Sequence, residues 1–201
     1  MEKLLFLINS GEYEKIEGWC TKDKAIKMAT FIKPNDFCVE LGVWGGRSML
    51  PMCFMTKNTV IGIDAWSKNS ALEGENSDKN NEWWSKIDYD KMFDYTKNLL
   101  TKYKCYNSRL IRNKSNEVYN NFEDESIDFL HQDSNHSEII SCEEVELYYK
   151  KVKRGGIWVF DDTDWETTKK AQNLLVTYGY KEIYDSGKIY NSASWKIYRR
   201  I

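Results

Sequence analysis

The sequence predicts an α/β chain in which a mainly parallel sheet is covered by helices on both faces and closed by an antiparallel hairpin. Three observations carry this expectation. From about Lys22 onward, short apolar runs rich in β-branched and aromatic residues alternate with longer stretches of helical periodicity. The first run, Phe37-Cys38-Val39, passes into the glycine-bearing turn Glu40-Leu41-Gly42-Val43-Trp44-Gly45-Gly46-Arg47-Ser48. The last two runs, Lys181 to Tyr184 and Ser194 to Arg199, flank Asp185-Ser186-Gly187 and read as a hairpin.

In chain order, a helical pattern over Lys22 to Ile32 precedes the first strand, Phe37 to Leu41. A helix over Ser48 to Thr56 follows, with Pro51 in its first turn, where a missing N–H matters least. Thr59 to Ile63 is the second strand. Lys68 to Asp88 is polar, carries Gly74, Asn76, Asn80 and Asn81, and ends near Trp83-Trp84. It reads as a lid or insert loop over roughly 66–88, and its tryptophans are expected to pack on the core ahead of contacting a substrate. Next come a helix over Tyr89 to Lys102 and strands over Arg109 to Arg112 and Ile127 to His131. A helix over Ser137 to Val152 is expected to end at Gly155-Gly156, before a strand over Gly156 to Phe160. Thr163-Asp164-Trp165-Glu166 resembles a capping box for a helix over Trp165 to Tyr178.

Composition bounds the function. The 201 residues suit a single domain spanning 1–201, with no linker or repeat to divide it. A net charge of −2, from 29 basic and 31 acidic residues, gives no general attraction to nucleic acid or to an anionic membrane. Cys20, Cys38, Cys53, Cys105 and Cys142 are odd in number and lack CxxC spacing, which fits small core residues in a reducing cytoplasm. Leu4 to Ile8 is too short for a signal peptide, and no run approaches membrane-spanning length.

The turn after the first strand carries the functional reading. Gly42 permits a tight turn, and Gly45 or Gly46 would let a ligand approach the backbone. Glu40 would repel a pyrophosphate but attract a ligand bearing sulfonium and ammonium groups, which points to S-adenosylmethionine in place of NAD. In open parallel sheets ligands bind beyond the carboxyl ends of the strands. The polar residues found there are Asp64, Ser115, Asp133 and Asp161-Asp162. Asp64 either accepts hydrogen bonds from a ribose diol or caps a turn. Asp133, Asp161 and Asp162 would converge at neighbouring strand ends, where clustered carboxylates need a cation; Mg²⁺ or Mn²⁺ is the expectation, against a reading in which Asp162 caps a helix and Asp161 accepts backbone N–H groups. Both histidines lie in Leu130-His131-Gln132-Asp133-Ser134-Asn135-His136. His131 is expected to be a satisfied core imidazole, whereas His136, ahead of a helix capped by Ser137, is either a general base or a metal or phosphate partner.

Taken in order, three motif blocks resemble the class I S-adenosylmethionine-dependent methyltransferases, and within them the metal-dependent macrocin-type O-methyltransferases of sugars and small molecules. The blocks are Val39 to Ser48, Ile61-Gly62-Ile63-Asp64-Ala65-Trp66, and Ile127 to Ser137 with Gly155 to Asp162. The resemblance implies a Rossmann-like sheet of seven strands. It implies a cofactor site of Glu40, Gly42, Val43, Trp44, Gly45, Ser48, Asp64, Ala65, Trp66, Ser115 and Asp133, with Glu40, Gly42 and Ser48 near the methionine part, Asp64 near the ribose and Ser115 near the adenine. It also implies metal ligation by Asp133, Asp161 and Asp162. The macrocin type has a second aspartate where this chain has Asn135, so His136, with Asp133, stands in as the catalytic pair. The expected reaction is methylation of a sugar or small-molecule hydroxyl, by a protein that could pair as a homodimer. Two alternatives stay open: a metal-independent methyltransferase, and a catalytically silent cofactor-binding module or accessory partner.

Overall fold

In a computed structural model of the chain, residues 1–75, 77–187 and 193–201 are described. Helices α1 (Glu2–Asn9) and α2 (Lys22–Ala29) precede β1 (Cys38–Leu41), α3 (Met49–Met55) and β2 (Val60–Asp64). Then follow α4 (Lys68–Ala71), α5 (Asp78–Ser85), α6 (Tyr89–Lys102), β3 (Ser108–Arg112) and α7 (Ser115–Val118). The carboxyl-terminal part holds β4 (Ile127–Gln132), α8 (Glu138–Tyr148), β5 (Val152–Phe160), α9 (Lys169–Thr177), β6 (Tyr180–Asp185) and β7 (Lys196–Arg200).

The strands form one seven-stranded sheet in the order β3-β2-β1-β4-β5-β7-β6. Its first five members are parallel, while β7 lies antiparallel to both β5 and β6. The expected fold class holds. Strand order reverses between β1 and β4, so the carboxyl ends of these strands open a crevice at the centre of the sheet. Alternation along the strands feeds two cores. Phe129, Ile157 and Val159 pack with α1, α2 and α3 through Leu4, Met28 and Met49. Leu130, Trp158 and Phe160 pack on the other side with Val145 of α8 and Leu175 of α9.

Several local expectations are corrected. Gly155 and Gly156 do not stop a helix; α8 ends earlier and both glycines lie within β5, where a Cβ on Gly156 would meet Lys153 O at 2.8 Å. No capping box forms at Thr163 to Glu166: the short helical turn over Glu166–Thr168 begins after Trp165 without a side-chain cap, and Thr163 Oγ1 has no hydrogen-bond partner. Ser137 starts α8 without a side-chain cap; Asn135 Oδ1 takes the Ser137 N–H. The segment read as a loop over Lys68 to Asp88 contains α4 and α5, the latter capped by Ser77 on the Asn80 N–H. Neither Gly45 nor Gly46 leaves room for a ligand. A Cβ on Gly45 would stand 2.6 Å from Glu17 O, and one on Gly46 would meet Thr96 of α6 at 3.1 Å, so both serve chain packing.

Candidate active site

A cavity of about 700 Å³ opens beyond the carboxyl ends of β1, β2, β4 and β5, within the range of small-molecule sites. Its floor begins at Gly42, whose φ of +82° and contact with Asp133 O, 2.0 Å from any added Cβ, allow only glycine. The turn is then pinned by Asp64 at the end of β2. Asp64 Oδ2 accepts the N–H groups of Val43 (3.0 Å) and Trp44 (2.9 Å), and Oδ1 accepts that of Trp66 (2.7 Å). Trp44 and Trp66 are held at φ +50° and +38°, conformations that bulky side chains rarely adopt and that these bonds sustain. Asp64 therefore acts as a turn cap, while a carboxylate's roughly four acceptor positions leave it capacity for a ligand.

The opposite side of the cavity is ionic. Asp162, itself at φ +50°, places Oδ2 2.7 Å from His136 Nε2, and Asp133 Oδ1 lies 3.5 Å from the same nitrogen. Burial disfavours the imidazolium, but Asp162 and Asp133 outweigh it and raise His136 to about 10. The two carboxylates thus favour the imidazolium, which suits the reading of His136 as an ionic partner over that of a general base. Trp165 packs on its ring at 5.1 Å between centroids. Asp161 Oδ2 is paired with the ammonium of Lys24, which also stands 3.8 Å from Asp133 Oδ2. Burial, with Asp133 adding repulsion, lifts Asp161 to about 6 against the pull of Lys24.

Residues 39–163 match a protein-family model described as a methyltransferase domain. The chain belongs to that family. Among solved structures, the methyltransferase is similar to a precorrin 8w decarboxylase from Methanobacterium thermoautotrophicum (16% identity, TM-score 0.65, covering 94% of this chain and 95% of that one). It also resembles a SAM-dependent O-methyltransferase from Thermotoga maritima (10%, TM-score 0.65, 98% and 71%) and an rRNA methylase from Streptococcus thermophilus (11%, TM-score 0.62, 90% and 95%). At these identities the likeness is one of fold. No curated protein matches the sequence. Family and fold together make the chain a class I S-adenosylmethionine-dependent methyltransferase.

Of the residues assigned to its cofactor site, Gly42, Val43, Trp44, Ser48, Asp64, Ala65, Ser115 and Asp133 line the cavity. Three do not. Gly45 packs on Glu17, and Trp66 is buried with its Nε1 donating to Trp44 O. Glu40 is fully buried; it pairs across strands with His131, Nδ1 to Oε1 2.7 Å, because β1 and β4 put the two residues in register. Burial raises Glu40 well above its ordinary value and lowers His131, both in the direction of the uncharged forms. His131 is a core imidazole as expected, although its Nε2 has no hydrogen-bond partner.

The three-aspartate metal set does not fit. Among the described residues the potential ligand clusters are His131-Asp133-Asp161 and Asp133-His136-Asp162, never the three carboxylates together. Each carboxylate already faces a nitrogen cation, Lys24 or His136, so the charge that called for Mg²⁺ or Mn²⁺ is compensated from within the chain. Other site residues were not foreseen. Trp19 joins Trp44, Trp83 and Trp84 in an aromatic wall on the cavity, with ring centroids 4.5–6.4 Å apart, so the lid tryptophans line the cavity and do not fill the core. Glu144 of α8 lines it too, accepting from Ser115 (2.5 Å), Ser134 (2.5 Å) and Gln132 (2.9 Å). Its signal was its spacing: Ser137, Ser141, Glu144 and Tyr148 share one helical face, and all are buried.

Proposed function

We infer that the protein methylates a hydroxyl group of a sugar or another small molecule. The observation that carries this reading is the Asp133-His136-Asp162 cluster on the cavity wall, capped by Trp165 and lying across the cavity from Asp64. Such a cluster offers a hydroxyl a carboxylate acceptor, and the indole offers a sugar or phenolic ring an apolar face.

The residues present suit the methyl donor. Asp64 keeps acceptor capacity for a ribose diol, and Asn116 Oδ1, a buried atom without a partner on a cavity-lining residue, is available to an adenine amino group. When bound, S-adenosylmethionine supplies an electrophilic methyl group. Asp133 accepts the hydrogen bond of the acceptor hydroxyl and takes its proton as the oxygen is methylated. His136 holds Asp133 and Asp162 in place and balances their charge. The aromatic wall and the lid exclude water from the reacting groups. No step requires a metal.

Calorimetric titration with S-adenosylhomocysteine, followed by transfer of labelled methyl from S-adenosylmethionine to a panel of sugars, phenols and amines, tests the reading. Binding with labelled hydroxyl products supports it. Absence of binding, or labelling of amines alone, overturns it.

A further inference from the structure

Lys24 lies in α2, outside the residues that match the family, yet it reaches the centre of the acidic mouth. Its side chain is only 3% exposed. A lysine ammonium is rarely buried to that degree unless a specific charge retains it. Here the charges are Asp161, in direct contact, and Asp133 at 3.8 Å. The two carboxylates hold the buried ammonium between them.

We propose that the Lys24 ammonium is the built-in cation of this mouth, occupying the place where the clustered carboxylates led us to expect a divalent ion and acting as the positioning residue for Asp161 and Asp133. The proposal rests on the methyltransferase reading and extends it to a metal-independent form of the reaction. The geometry leaves little room for both cations. A divalent ion on Asp161 would need to approach an oxygen to about 2.1 Å, and Asp161 Oδ2 is the oxygen that Lys24 already occupies. The same oxygen lies 3.9 Å from His131 Nε2, a buried nitrogen with no hydrogen-bond partner. Asp133 divides its oxygens, Oδ2 toward Lys24 and Oδ1 toward His136, while Asp162 faces His136. Lys24 also lines the cavity. An acceptor oxygen drawn to Asp133 therefore meets a fixed ammonium nearby, which favours developing negative charge on that oxygen.

The test is titration of the purified 201-residue chain with Mn²⁺, read by electron paramagnetic resonance of free Mn²⁺ and by calorimetry, with S-adenosylhomocysteine titrated in the same buffers. The wild-type protein is expected to take up no stoichiometric Mn²⁺, and chelator should leave its S-adenosylhomocysteine affinity unchanged. In Lys24→Met the carboxylates lose their counter-charge, and Mn²⁺ affinity should rise at least about tenfold; Lys24→Met combined with Asp161→Asn should cancel that gain, and Lys24→Arg should behave as wild type. Stoichiometric Mn²⁺ uptake by the wild type that disappears in Asp161→Asn would overturn the proposal, as would equal Mn²⁺ affinity in Lys24→Met and wild type. The wild-type titration needs no variant to fold. Failure to bind S-adenosylhomocysteine would instead strike the methyltransferase reading and leave the result on Lys24 standing.

Discussion

Asp64 shows how one side chain can support a whole binding surface. Its carboxylate gathers three N–H groups from a turn that includes two tryptophans at positive φ, so removing it releases strained backbone as well as a ligand contact. Hydrogen bonds to a charged group contribute about 1.5–3 kcal/mol each. Asp64→Ala should therefore weaken S-adenosylhomocysteine binding by more than about tenfold, about 1.4 kcal/mol. Calorimetric affinity within twofold of wild type would contradict the role. On the other wall, Asp133→Asn retains size but loses the proton acceptor. Methyl transfer to a hydroxyl acceptor should fall about 10²–10⁴-fold, the usual contribution of a positioned base; unchanged turnover would move the base elsewhere. Lys24 and Glu144 were legible only in part. Both stand on helical faces otherwise occupied by buried residues, Lys24 four residues before Met28 in α2, but helical spacing cannot say what charge waits opposite.

The lid is the element whose behaviour the structure makes most specific. Asn135 Nδ2 donates to Ser70 O (3.3 Å) and Glu73 O (2.8 Å), and Lys114 pairs with Glu73 at 2.6 Å, so the segment around α4 is latched to the loops after β3 and β4. Gly74, at φ +79°, lies so close to Ser137 that a Cβ would come within 2.3 Å of its Oγ. The residue that departs from the resembled pattern thus has a structural task here, holding the lid in place of a second carboxylate. Asn135→Ala should raise the rate of proteolytic cleavage within residues 67–86 several-fold and weaken S-adenosylhomocysteine, while the thermal midpoint moves little. An unchanged cleavage rate would show that the latch is not what holds the lid. The sequence marked this segment as functional through its length and its tryptophans, but missed its helices because α4 spans only four residues and α5 is predominantly polar, with no residue buried.

At the scale of the molecule, two cores clamp a sheet whose crevice is defined by strand order. No helix among the described residues is long and apolar enough to cross a membrane. Because the cavity is lined by the end of β2 and by the segments that follow β1, β3, β4 and β5, ligand binding should stabilise the fold as a whole. At a hundredfold excess over Kd, S-adenosylhomocysteine should add about 2.7 kcal/mol, a rise of roughly 5–11 °C in thermal midpoint for a chain of this length. A flat calorimetric scan would mean that the cavity is not the cofactor site. The sequence by itself determined the sheet, its final hairpin, the glycine turn and the placement of Asp64, Ser115, Asp133, Asp161 and Asp162 at strand ends, because periodicity and turn chemistry act over a few neighbouring residues. Only the tertiary structure decided which charges meet. Strand register set Glu40 against His131 as a buried pair, and α2 carried Lys24 to Asp161 across 137 residues of chain. Electrostatic compensation depends on distance in space and on burial, and neither can be read from position along the chain.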